Sequence, residues 1–138
     1  MVLGIGAIII LSNMPDQPNV REERPEQPPT RHQMLMEKTQ GKVHLFNTSL
    51  DTSYKPVGLL SFSLRNDSPV KIKDLAIICE FFSETGTSLG AANTYVYRFF
   101  PPHDVQYVRN VKIQPVPEAA TRHRCWLELY DVVEEKIQ

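Results

Sequence analysis

Residues 86–90, Gly86-Thr87-Ser88-Leu89-Gly90, have the G-x-S-x-G form of a nucleophile elbow, in which a serine on a sharp strand-to-helix turn attacks an acyl carbon. Asp104 and His123 follow it in the Ser, Asp, His order of the α/β-hydrolases. That chemistry needs a strand before the serine and a helix after it. Here the aromatic, β-branched run TYVYRFF (Thr94 to Phe100) follows within a few residues, and it favours strand. The chain also lacks room for the parallel sheet that carries such an elbow. The glycines and serine therefore read as a hairpin turn, and the expectation is a protein that is not an enzyme.

Metal chemistry fares no better. His32, His44, His103 and His123 have no ligand spacing, and Cys79 and Cys125 have no C-x-x-C partner, so neither a metal site nor a cofactor is expected. Two sequons, Asn47-Thr48-Ser49 and Asn66-Asp67-Ser68, matter only in a eukaryotic secretory pathway, and Pro69 disfavours the second. The formal net charge of −1 over 138 residues offers no basic excess for phosphates, so no nucleic acid is expected as a partner.

The elements that would position these residues centre on the stretch from Val57 to Gly86. Gly58, Leu60, Phe62 and Leu64 alternate with Leu59, Ser61, Ser63 and Arg65, the period-2 pattern of a strand with one buried face. Asn66-Asp67-Ser68-Pro69 supplies turn chemistry. Leu75, Ile77, Cys79 and Phe81 then alternate against Asp74, Ala76, Ile78 and Glu80. Lys42 to Leu50, with Val43, Leu45 and Asn47 on one face, is expected as the first strand, followed by a turn over Asp51 to Pro56. Thr94 to Phe100, Val105 to Ile113 and Arg124 to Val133 complete the pattern. No stretch of this head sustains a helical apolar period. The fold class is all-β: an immunoglobulin-like antiparallel β-sandwich of six or seven strands over residues 41–133, with a charged, frayed tail at 134–138.

Two different segments precede this head. Residues 1–12 are apolar from Val2 to Leu11, with no basic residue before Arg21. As a helix, those ten residues rise roughly 15 Å, about half of a ~30 Å hydrocarbon core. Three readings fit: a buried strand or a segment inserted in a partner, an atypical signal, or part of a longer membrane anchor. The last is the expectation carried forward, and it places Lys or Arg and more apolar residues upstream of Met1. Residues 13–40 hold Pro15, Pro18, Pro25, Pro28 and Pro29 among polar residues. Such a segment is expected to be an extended linker, with at most one helical turn over His32 to Lys38.

The strand and Asn-bearing turn SLRNDSPVKIKDL, followed by AIICEFFSETGTSLG with its paired aromatics before a glycine turn, resemble the FxLYD-type and related late-embryogenesis-like immunoglobulin-fold modules. The likeness spans roughly Lys42 to Val132, and WLELYD (Trp126 to Asp131) has a flavour of the family's name motif. It implies a small extracytoplasmic or membrane-tethered sandwich with no catalytic residues to carry over.

Alternation points Cys79 and Cys125 inward, from strands expected to face each other across the core. In an oxidising compartment they would form an inter-sheet disulfide beside Trp126, stabilising the fold by about 4 kcal/mol in the chain-entropy model. The other reading is two buried free thiols. The same alternation turns Leu59, Ile78, Phe82 and Trp126 outward as candidate partner contacts. The resulting expectation is a non-catalytic, membrane-anchored accessory or structural subunit of a larger membrane protein complex. Its head would be extracytoplasmic, or periplasmic in a bacterium, and its partners protein subunits and, through the N-terminal segment, the membrane. The alternative is a binding module for a small ligand or carbohydrate, with a pocket lined by Tyr95, Tyr97 and Tyr107.

Overall fold

Alternating side chains build the core of this protein, whose computed structural model describes residues 27–135. The expectations for the apolar segment 1–12 and for residues 13–26 of the linker lie outside the described residues. Six strands follow one helix: α1 (Arg31–Thr39), β1 (Val43–Tyr54), β2 (Val57–Asn66), β3 (Ile72–Phe82), β4 (Ser88–Phe100), β5 (Asp104–Ile113) and β6 (Arg122–Val132). They form two antiparallel sheets, ordered β1-β2-β5 and β4-β3-β6. The chain crosses between sheets after β2, after β4 and after β5, so the all-β sandwich expected from the sequence is the observed fold, with six strands.

The central strands carry most of the core. Leu60, Phe62 and Leu64 of β2 meet Leu75, Ile77, Cys79 and Phe81 of β3, all at most 1% exposed. Val96 and Phe100 of β4 and Val108 and Ile113 of β5 extend this layer. Burying each of the larger side chains contributes about 1.5–3 kcal/mol relative to leaving it in water. After β5, the 114–121 connection folds back beneath the sandwich and buries Val116 and Ala120. Val116 approaches Gly58 so closely that a Cβ on Gly58 would lie 2.9 Å from its Cγ2, which is why that strand position is glycine. Lys55 holds the same connection by donating from Nζ to the carbonyls of Glu118 and Ala120.

The Asn66-Asp67-Ser68-Pro69 turn is the buried polar knot of the fold. Asn66 Nδ2 donates to the carbonyls of Val70 at 2.8 Å, Pro101 at 3.0 Å and Phe100 at 3.3 Å. Its Oδ1 accepts from the backbone N–H and the hydroxyl of Ser68. One side chain thus ties the β2–β3 crossover to the end of β4. Burial of these polar groups is tolerated because each has a partner.

Local structure departs from the sequence expectations at four places. β1 runs on to Tyr54, so the turn shrinks to Lys55 and Pro56. Asn47, expected to face inward with Val43 and Leu45, sits at a register shift with φ 53°; the bulge turns it out to solvent. β4 begins at Ser88, not Thr94, because its small residues through Ala92 pair with the well-patterned β3. And α1 runs for nine residues, Arg31–Thr39, where one helical turn over His32 to Lys38 is expected at the end of an extended linker. The reason is a capping box: Thr30 Oγ1 accepts from the Gln33 N–H while Gln33 Oε1 accepts from the Thr30 N–H.

The helix docks on the far end of β6. His32 Nε2 lies 2.6 Å from Asp131 Oδ1, and the buried Thr39 hydroxyl lies 2.6 Å from the Tyr130 hydroxyl. The start of the tail is held as well: Lys71 Nζ pairs with Glu135 at 2.9 Å, and Arg31 donates to the Glu135 carbonyl at 2.6 Å.

Candidate functional site

The serine motif is dispersed by the fold. Ser88 is the first residue of β4, paired with Phe82 across the tight 83–87 hairpin, and its hydroxyl donates to Glu80 Oε2 at 2.9 Å. Asp104 lies just beyond the other end of β4, which at ~3.3 Å per residue is roughly 40 Å of strand away. His123 pairs with Phe81 near Ser88; partial burial lowers its pKa below the usual imidazole value. Strand, not helix, follows the serine. Among the described residues no cluster of three or more His, Cys, Asp and Glu side chains could hold a metal ion. The two sequons also separate. Asn66 is 1% exposed and fully engaged in hydrogen bonds, whereas Asn47 is exposed.

Cys79 and Cys125 are joined as a disulfide, S–S 2.02 Å. The geometry differs from the inter-sheet bridge expected, because β3 and β6 are neighbours in one sheet and the two cysteines are direct register partners. Alternation reports which face a side chain takes; it does not report which sheet a strand joins. The bond therefore rivets an edge strand to the central strand beside it and makes no covalent link between the two sheets.

The residues that do converge lie on the outer face of the β4-β3-β6 sheet. Register places Asn93, Ile78 and Trp126 in one row across the three strands, and Tyr95, Ala76 and Leu129 in the next. Tyr97 and Phe99 continue along β4. Tyr95, Tyr97, Phe99 and Leu129 are each more than half exposed. The Tyr95 and Tyr97 rings stack with centroids 6.2 Å apart. Charged rows bound this apolar strip. On one side the Arg124–Glu80 pair sits at 3.2 Å, with the Arg124 guanidinium 5.1 Å over the Trp126 ring. On the other, Lys73 is the register partner of both Asp131 and Phe99, and the Lys71 ammonium lies 5.7 Å from the Phe99 ring. An apolar, aromatic centre with a charged rim is the anatomy of a protein contact surface.

Three of the four candidate contacts, Ile78, Phe82 and Trp126, share this face. Leu59 does not: it lies on the other sheet, between Asp51 and Lys112. The tyrosines divide likewise. Tyr95 and Tyr97 belong to the aromatic strip, whereas Tyr107 pairs with Ser63 on the outer face of the β1-β2-β5 sheet. The fold thus assembles no pocket from these three residues. Phe99 is not among the contacts expected from the sequence, and strict alternation puts Leu129 inward with Cys125 and Leu127, whereas the register shift between Ala76 and Ile77 turns it out to solvent. The available signal for Phe99 was Tyr95, Tyr97 and Phe99 spaced by two, which puts three aromatics on one strand face.

Fold and surface together define a six-stranded immunoglobulin-like sandwich with one aromatic outer face. No family model, curated protein or solved structure matches the chain.

Proposed function

We propose that this protein is a non-catalytic, membrane-tethered β-sandwich that serves outside the cytoplasm as an accessory or structural subunit of a membrane protein complex. The observation that carries this is the aromatic strip of Tyr95, Tyr97, Phe99, Trp126 and Leu129 on one sheet face, rimmed by charge. Monomers seldom leave so many large apolar side chains contiguous, and Tyr and Trp are the residues that anchor interfaces. The flatness of a sheet face suits a protein partner better than a small molecule, which needs a concave site. The Cys79–Cys125 disulfide supports an oxidising compartment. The tether rests on the apolar run from Val2 to Leu11, since among the described residues no helix is long and apolar enough to cross a membrane. The resemblance to FxLYD-type modules favours the same assignment.

Affinity purification of the full chain from detergent-solubilised membranes tests the reading. A stoichiometric membrane complex is expected, lost at least about tenfold in a Tyr97→Ala/Trp126→Ala double variant. Recovery of a lone monomer would end the proposal.

A further inference from the structure

The edge of β6 carries a second binding feature, distinct from the aromatic face. Cys79 and Cys125 face each other with Cα atoms 4.0 Å apart, the narrow, non-hydrogen-bonded kind of antiparallel pair. Residues in such pairs turn their backbone N–H and C=O away from the neighbour. The pairs Phe81–His123, Cys79–Cys125 and Ile77–Leu127 follow in step, so His123, Cys125 and Leu127 all aim these groups at the free side of β6. Among the described residues no hydrogen bond takes them. Helix α1 covers only the Tyr130–Asp131 end of the strand and leaves this stretch open.

The side chains beside this edge are equally unfinished. His123, Cys125 and Leu127 point inward yet remain only partly buried, as do Val43, Leu45 and Leu50 on β1, the edge strand of the opposite sheet on the same side. Outward of the edge stand Arg122 and Arg124, both exposed. Among the described residues Arg122 donates only to the Glu84 carbonyl, and Arg124 shares Glu80 with Ser88. An immunoglobulin sandwich of seven strands places its last strand at this position, beside the strand that β6 represents.

We propose that the β6 edge receives an extended strand from a partner subunit, with apolar side chains inward over Cys125 and Leu127 and acidic ones outward beside Arg122 and Arg124. Main-chain hydrogen bonds to His123, Cys125 and Leu127 supply the attachment, alternate apolar residues close the half-covered core between β1 and β6, and the arginine pair selects acidic outward positions. This rests on the reading of the protein as a complex subunit and names where and how one partner attaches.

Amide hydrogen exchange on the full chain, alone and in its detergent-solubilised complex, tests it without any substitution. The His123, Cys125 and Leu127 amides should exchange at least about tenfold more slowly in the complex. Equal rates in an intact complex overturn the strand addition while leaving the subunit assignment standing; failure to isolate any complex counts against that assignment instead. Protection already present in the isolated chain at every dilution would show that the chain's own undescribed residues occupy the edge. Protection that dilution removes would show a second copy there. Either result overturns the partner strand. In the complex, the Arg122→Glu/Arg124→Glu variant should lose at least about tenfold in partner retention with its disulfide intact. Unchanged retention overturns the acidic pattern.

Discussion

The two flanks of the sandwich are built to different standards. On the flank where β4 and β5 lie side by side, four inward side chains are sealed, Val96 and Phe100 from one strand and Val108 and Ile113 from the other, none more than 5% exposed; Val111 beside them is partly buried. Bonds between sheets hold that flank shut, from Thr94 Oγ1 to the Lys112 carbonyl at 2.8 Å and from Arg98 to Gln106 at 3.1 Å. On the flank where β1 and β6 lie side by side, β1 contributes no fully buried residue and β6 contributes only Val132. A disulfide and a docked helix hold β6 there instead. The two flanks therefore hold their strands by different means. Hydrophobic burial closes one side, and covalent and polar ties preserve an edge strand on the other.

Truncations compare the two flanks directly. Phe100→Ala removes a side chain that is 1% exposed and should cost about 3–5 kcal/mol in chemical unfolding. Leu45→Ala and Leu127→Ala, at half-buried sites of the open flank, should each cost only about 1–2 kcal/mol, since less apolar area returns to water. Equal costs on the two flanks would erase the distinction.

Between those values sits the disulfide. Reducing Cys79–Cys125, or replacing both cysteines by serine, should cost about 2–4 kcal/mol. Because the bond joins β6 to β3 and not sheet to sheet, its loss should appear first as faster amide exchange along β6, with β2 and β5 unaffected until global unfolding. Simultaneous loss of protection in both sheets would mean that β6 has no independence from the sealed flank.

The sequence makes the two central strands plain and the edge elements obscure. β2 and β3 are legible because strict alternation runs through Leu60, Phe62 and Leu64 and through Leu75, Ile77, Cys79 and Phe81. Edge strands bury one face only in part, so their patterns blur. β4 starts with Ser88-Leu89-Gly90-Ala91-Ala92, which resembles a loop until β3 pairs with it. α1 carries one fully buried residue, Thr39, so its apolar stripe is too thin to read. Its signal was local: Thr30 three residues before Gln33, the spacing of a capping box. Sheet membership was the information that alternation lacks. Alternation alone therefore fits a cysteine pair that bridges two sheets, and it puts Leu59 in one class with Ile78, Phe82 and Trp126.

The smallest effect belongs to the latch between α1 and β6. The hydrogen bond from His32 holds the Asp131 carboxyl below its ordinary pKa, against a desolvation that would raise it. A carboxylate depressed in the native state stabilises that state above its unfolded pKa, and the contribution fades as pH falls through the lowered native value. Both side chains are 45% exposed, so solvent screens the pair, which is worth roughly a few tenths of a kcal/mol and acts on the helix rather than on the whole fold. Amide exchange along Arg31–Thr39 should therefore quicken between about pH 4 and lower values, before the strands respond. Asp131→Asn should flatten that acid limb, since the amide keeps a hydrogen-bonding oxygen but no titrating charge. His123 marks the opposite site on β6. Burial lowers its pKa, so its neutral form fits the half-covered edge, and stability should fall as pH drops from the ordinary imidazole value, where the unfolded chain takes up the proton, towards the lowered native one. If the helix and the strand instead loosen together over one pH range, the latch and the open edge are a single cooperative unit, and the flank has no separately movable part.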